Sequence, residues 1–203
     1  KKSKKPMFII GESALYGNSG KYVFESLKNY LKENNYIRDD WNGLNILSQQ
    51  ASRVGAIDLG IYSITADNNF YLFDNIEKNY FKFIYLLGTD NFNFDKKDKF
   101  IVYQGSHGDK GAEIADVVLP GAAYTEKNGL FVNLEGKTQN AYKASYPPGE
   151  AREDWEIFVK ISKAMNKNLD FDNINDLRLK MFQTIEKRNN NISNNIKFSF
   201  IED

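Results

Sequence analysis

The apolar positions of this chain alternate between short solid runs and spaced stripes. Met7–Ile10 is a solid run ended by Gly11, which predicts a buried parallel strand. Beyond the loop GESALYGNSG, Val23, Phe24, Leu27 and Leu31 recur at i, i+1, i+4 and i+8. That spacing predicts a helix from Gly20 to Lys32, with Ser19 as its N-cap. Gly43–Leu47 predicts a second short strand, Gln49–Val54 a helical turn, and GAIDLGIY a loop. A helix is expected to end over Asp74–Asn79. Phe81–Leu87 (FKFIYLL) is the clearest strand, closed by Gly88-Thr89-Asp90. Phe100–Tyr103 and Asp116–Leu119 predict two more strands with a short acidic helix between them, the second stopped by Pro120. Leu130–Asn133 and Lys137–Gln139 flank Leu134-Glu135-Gly136 as a hairpin or bulged turn.

Pro147-Pro148-Gly149 breaks the chain ahead of two further helices. The first is expected over Ala151–Met165, with Trp155, Phe158, Val159 and Ser162 on one side. Glu150, Glu153 and Asp154 suit the positive end of its dipole. The second is expected over Ile174–Lys187, with Asn173 as N-cap and Leu177, Met181 and Ile185 as core contacts. The asparagine-rich end predicts an irregular extension. Strands alternating with helices define an α/β fold with a mostly parallel, Rossmann-like sheet and flanking helices. Residues 1–165 are expected to form that domain, and 166–203 a helical and irregular C-terminal extension.

Composition narrows the functional classes. The 203 residues are 41% hydrophobic and 14% aromatic, enough for one domain with a core. Lys plus Arg and Asp plus Glu number 27 each, so there is no basic surplus for nucleic-acid binding. The initial KKSKK reads as a solvated terminus. No cysteine is present, which excludes disulfides, zinc ribbons and iron–sulfur ligation by this chain. No apolar run reaches the roughly 18 residues of a membrane helix, and Met7–Ile10 is too short for a signal peptide. A soluble or peripheral chain without direct membrane insertion is expected. Lys far outnumbers Arg, and Asn, Ile, Phe and Tyr are abundant, which points to an AT-rich genome such as an organellar one. The first residue is Lys1 rather than Met, compatible with a processed, split or partial chain.

Candidate chemistry concentrates between Ile101 and Gln139, where glycines stand at 105, 108, 111, 121, 129 and 136. Such density belongs to backbone that turns tightly or approaches something closely, as in a cofactor cleft. Known phosphate motifs do not fit. Gly11, Gly17 and Gly20 match neither G-x-G-x-x-G nor the P-loop, whose lysine is missing. Gly11-Glu12-Ser13-Ala14-Leu15 lacks the second glycine of a nucleophile elbow. Ser106 and His107 are adjacent in sequence, so their side chains are expected to point apart. His107, the only histidine, is expected to make loop hydrogen bonds rather than carry protons or a metal. Asp109, Glu113 and Asp116 are expected in helix capping and sheet-end hydrogen bonds. Arg152, Glu153 and Asp154 beside Trp155 read as a salt-bridged helix start, with an interface as the alternative.

A resemblance rests on these segments. YQGSHGDKGAEIADVVLPGAAYTEKNGLFVNLEGKTQ, followed by YPPGEAREDW, closely resembles the large iron–sulfur subunits of respiratory NADH:quinone oxidoreductase, complex I. KPMFIIGESAL, ASRVGAIDLG and FIYLLGTDN agree with it, so it covers most of residues 4–165. It implies the molybdopterin oxidoreductase type of α/β fold. In catalytic relatives, loops like these cradle a pterin dinucleotide; the complex I members are understood to hold no molybdenum there. The resemblance therefore implies a vestigial cleft at Gly88, Thr89, Asp90, Gly105, His107, Gly108, Asp109 and Lys110, with no catalytic residue, no metal ligand and no cofactor in this chain. Iron–sulfur clusters are expected in a partner polypeptide, the cluster-bearing N-terminal half of the same subunit. Other partners would be peripheral-arm subunits of complex I. The implied location is the matrix side of the mitochondrial inner membrane, or the cytoplasmic side of the plasma membrane in a bacterium. Two alternatives stand beside this scaffold reading: a molybdopterin-type oxidoreductase domain that still binds its cofactor, and a free nucleotide-binding module.

Overall fold

The computed structural model describes residues 3–61 and 72–191 of the chain. Two compact units result. Of the described residues, one holds 3–61 together with 130–139, and the other holds 72–129 and 140–190.

In the first unit, β1 (Phe8–Gly11) leads through a 3-10 turn at Glu12–Leu15 into α1 (Gly20–Glu33). The chain then makes an antiparallel two-residue ribbon, β2 (Ile37–Arg38) against β3 (Trp41–Asn42), and enters β4 (Leu44–Leu47). β1 and β4 pair in parallel, Phe8 opposite Leu44 and Gly11 opposite Leu47. This is a βαβ crossover, as the apolar pattern predicts. The predicted stripe of α1 holds, with Phe24 and Leu31 buried. Ser19 stands before the helix but makes no side-chain capping bond. Its backbone is already helical, which turns the hydroxyl away from the free amides.

GAIDLGIY is mostly not a loop: α2 runs over Arg53–Leu59, and Tyr62 lies outside the described residues. Gly60 adopts a left-handed φ of 78°, with Ile61 N–H donating to Ala56 O at 2.8 Å and Gly60 N–H to Ile57 O at 2.9 Å. Gly60 therefore marks the end of a helix rather than its absence.

The second unit contains α3 (Leu72–Glu77), then three parallel strands in the order β5 (Phe83–Leu87), β6 (Phe100–Gly105), β7 (Val117–Pro120). The helix α4 (Lys110–Ile114) makes the β6–β7 crossover. β8 (Gly129–Val132) and β9 (Thr138–Ala141) pair around the predicted turn, most of their residues counting with the first unit, and in the second unit α5 (Asp154–Ala164) and α6 (Ile174–Asn191) follow. Asn173 caps α6 as expected, its Oδ1 accepting from the amides of Asn175 and Asp176 at 3.0 Å. The parallel strands thus fall in two sheets, with the helices flanking them.

β6 is covered on both faces. Ile101 and Tyr103 join Leu86, Ile76, Phe92 and Phe94 in the core on one face. On the other face Tyr85 of β5 stacks on Phe158 of α5 at 5.6 Å, and Gln104 is fully buried. Ile157 of α5 is buried too, a position outside the predicted stripe. Asp116 fixes the start of β7: its carboxylate accepts from Ile101 N–H at 2.8 Å, and its own N–H donates to Ile101 O at 2.8 Å. This is the sheet-end role expected of it.

Ile101 is fully buried, so Ile101→Ala should lower the unfolding free energy by about 3 kcal/mol through lost contacts and a cavity. Urea denaturation of the two proteins measures it.

Candidate functional site

The turns rich in glycine sit where α/β folds place ligands, beyond the carboxyl ends of parallel strands. Gly88-Thr89-Asp90 follows β5, and Ser106–Lys110 follows β6, its neighbour. Gly88 takes a left-handed φ of 56° and donates its N–H to Gln104 O at 2.7 Å. Gly121, just beyond β7, donates to Gly105 O at 2.9 Å. The structure therefore brings the sequence-predicted set to one edge of one sheet.

Tyr103 dominates that edge, and sequence reasoning had not singled it out. Its side chain is 2% exposed and runs along β6 toward the carboxyl end. A Cβ on Gly105 would stand 2.3 Å from the Tyr103 hydroxyl, and one on Gly111 2.5 Å from its ring. Both glycines are thus required by close approach to this ring. The hydroxyl lies 3.2 Å from Asp90 Oδ2 and 3.2 Å from His107 O, and its one proton serves either acceptor. Asp90 Oδ1 accepts from Gly111 N–H at 2.9 Å. Burial first, then the Asp90 charge, raise the Tyr103 hydroxyl above its ordinary pKa. The signal available in the sequence was an aromatic residue two positions before a glycine, hence on the same face of the strand.

The other predicted residues have plainer roles. Lys110 donates to Phe92 O at 2.7 Å and lies 5.0 Å from the centre of the Phe92 ring. Asp109 precedes α4 but makes no side-chain cap; Asp90 serves the Gly111 amide from across the turn. Thr89, His107 and Gly108 are exposed. The expectation that Ser106 and His107 point apart fails: Ser106 Oγ lies 2.9 Å from His107 Nδ1. The chain has left the extended conformation there, so neighbouring side chains need not alternate. Among the described residues no carboxylate hydrogen-bonds to this imidazole, so the pair lacks the orienting acid of a nucleophilic triad.

The chain's own side chains occupy much of the ground at this edge. The interval between Gly105 and Gly111 holds the Tyr103 ring. The Gly111 amide binds the Asp90 carboxylate. Among the described residues no group of three or more His, Cys, Asp or Glu has the geometry of a metal site.

A second polar chain crosses the opposite face of β6. The Tyr85 hydroxyl donates to Gln104 Oε1, Gln104 Nε2 donates to Asp154 Oδ1 at 2.9 Å, and Lys127 pairs with Asp154 Oδ2. Asp154 is therefore more than part of the expected salt-bridged helix start, although the Arg152–Glu150 pair and the Trp155–Glu153 bond do fit that reading. The EKNG segment is held by its own polar side chains. Glu126 Oε2 accepts from Ala123 N–H at 2.9 Å, and Asn128 Oδ1 accepts from Lys143 N–H at 3.1 Å.

In the first unit, Glu12 plays a comparable part beyond β1. Its carboxylate accepts from Ser48 Oγ and Gln49 N–H, each at 2.9 Å, and faces Arg53 at 3.3 Å. Burial pushes its pKa up, but the Gln49 amide, Ser48 and Arg53 outweigh it, so the net shift is downward.

This is a doubly covered parallel sheet with glycine turns at its carboxyl edge, the α/β class that houses nucleotide-like cofactors. The chain belongs to the molybdopterin oxidoreductase family, whose model matches residues 1–164. It is 44% identical over 207 aligned residues to the NADH-ubiquinone oxidoreductase 75 kDa subunit of Reclinomonas americana, covering 97% of this chain and 30% of that protein. The mitochondrial NADH-ubiquinone oxidoreductase 78 kDa subunit of Candida albicans is 42% identical, over 88% of this chain and 24% of its own length. An NADH-quinone oxidoreductase subunit of Rickettsia typhi is 43% identical, over 89% of this chain and 25% of its own length. The chain thus spans less than a third of the length of these curated relatives.

The carboxylates give two expected outcomes. Asp154→Ala takes the carboxylate acceptor from the Lys127 ammonium and leaves the Gln104 amide only the Asp154 main-chain oxygen at 3.5 Å, at a cost of about 1–3 kcal/mol; chemical denaturation reads it. Asp98 is lowered to about 2 by the Lys82 ammonium and then Asn79, and Asp116 is lowered by Lys96 and the Ile101 amide. With Glu12 also lowered, the unfolded chain binds protons more tightly than the folded one. Stability is then fully present above the ordinary carboxyl range near pH 4 and falls as pH drops toward 2. Melting temperature across that window should decline steadily; a flat profile would contradict the assignment.

Proposed function

We propose that this chain is a structural part of the peripheral arm of NADH:ubiquinone oxidoreductase, complex I. It supports electron transfer from NADH to quinone without carrying a redox centre itself. Its partners are the cluster-bearing part of the same subunit, as a separate chain, and other peripheral-arm subunits. In this reading residues 1–165 are the family domain and 166–203 an extension. One observation carries the proposal: relatives named as subunits of this oxidoreductase align over 88–97% of the chain.

Three features support it. A sequence without cysteine offers no thiolate to an iron–sulfur cluster. Large apolar side chains that are exposed, among them Met7, Ile9, Leu47, Phe83 and Phe100, outnumber the buried ones among the described residues. Apolar exposure on that scale suits a piece that docks against more protein. Among the described residues no helix is long and apolar enough to cross a membrane, which suits an arm outside the bilayer. The mitochondrial and bacterial origins of the relatives suit the matrix side of the inner membrane, or the cytoplasmic side in a bacterium.

Affinity-tagged chain, extracted in mild detergent and run on a native gel, should co-migrate with NADH-oxidising activity, while the chain alone oxidises no NADH. Migration alone, with no cluster-bearing partner, would refute the proposal. Molybdenum or tungsten at one atom per chain would establish the cofactor-binding alternative.

A further inference from the structure

The carboxyl edge of the β5–β6 pair has the build of a ligand site and is filled from within. We propose that Tyr103 and Asp90 act together as an internal ligand, holding from inside the chain the place where these glycine turns would otherwise receive a planar, anionic group. The ring supplies the planar part. It lies against Gly105 and Gly111 so closely that neither tolerates a Cβ. The Asp90 carboxylate supplies the anionic part, binding the Gly111 amide at 2.9 Å. The Tyr103 hydroxyl links the two, lying 3.2 Å from Asp90 Oδ2. Gly108, in the same turn, has open space around it, so the crowding is confined to the two glycines that face the ring.

The arrangement keeps the turns ordered without a bound molecule. Glycine-rich backbone loses much conformational entropy on ordering, and a free ligand would stabilise it only as far as its concentration exceeds its dissociation constant. A covalently attached ring and carboxylate are always present. Occupation from within thus explains how glycine turns suited to a cofactor can persist in a scaffold, and the inference rests on the scaffold reading for that meaning. The two fail separately. A chain that joins the oxidoreductase but leaves the Tyr103 interval open to ligands would sink the inference and leave the scaffold role standing.

The test uses the full chain and p-cresol, which reproduces the tyrosine side chain. Tyr103→Ala should melt lower than the parent. Millimolar p-cresol should raise the melting temperature of Tyr103→Ala by several degrees and leave the parent unchanged, by selective binding to the folded variant. Equal shifts in both proteins, or none in either, would overturn the proposal. Should Tyr103→Ala fail to fold, three single substitutions decide. Gly105→Ala and Gly111→Ala should each lower the melting temperature clearly, and Gly108→Ala should not. Equal behaviour of all three would show that no ring fills the interval. A rise in the parent's melting temperature with GDP, which joins a planar base to an anionic diphosphate, abolished by Gly111→Ala, would show the edge open and also overturn it.

Discussion

The second unit depends on how the end of strand β6 is closed. Tyr103 and Gln104 are consecutive, so they leave the strand on opposite faces. Each is buried, and each carries a polar group that must find a partner out of water. Tyr103 finds Asp90 and the His107 carbonyl; Gln104 finds Tyr85 and Asp154. One aspartate on each face thus ties β6 to a distant segment: the turn after β5 on one side, the start of α5 on the other. An apolar pair at these positions would bury as much surface but would not select which segments meet.

The same solution operates beyond β1, where Glu12 collects a serine hydroxyl, a main-chain amide and an arginine. In both units a carboxylate from the chain itself occupies the ground beyond a parallel strand. Main-chain amides there are unpaired by the ladder and need an acceptor. In a cofactor enzyme a phosphate can be that acceptor. Here the acceptor is a carboxylate of the chain itself.

That closure agrees with a supporting role. Electron carriers must be held at fixed separations, and a neighbour that keeps them there needs rigidity rather than a cleft. β6 is packed on both faces, and many large apolar side chains elsewhere are exposed among the described residues. Membership in a family named for a cofactor does not by itself assign that cofactor to this chain, because a fold does not carry its chemistry with it.

Much of the framework was legible in the residues. Strand runs such as Phe83–Leu87, the stripe of α1 and the Asn173 cap are set by contacts within a few positions, where local periodicity and hydrogen bonding suffice. Glycine density marked the carboxyl-edge turns correctly. It misled at GAIDLGIY, because Gly60 ends a helix and a count of glycines cannot tell an ending from a loop. What the glycines at 105 and 111 make room for was decided only in three dimensions. The sequence determined that backbone must approach something closely there. Tertiary structure determined that it approaches Tyr103, whose partner Asp90 lies thirteen residues away and meets it only because β5 and β6 run side by side.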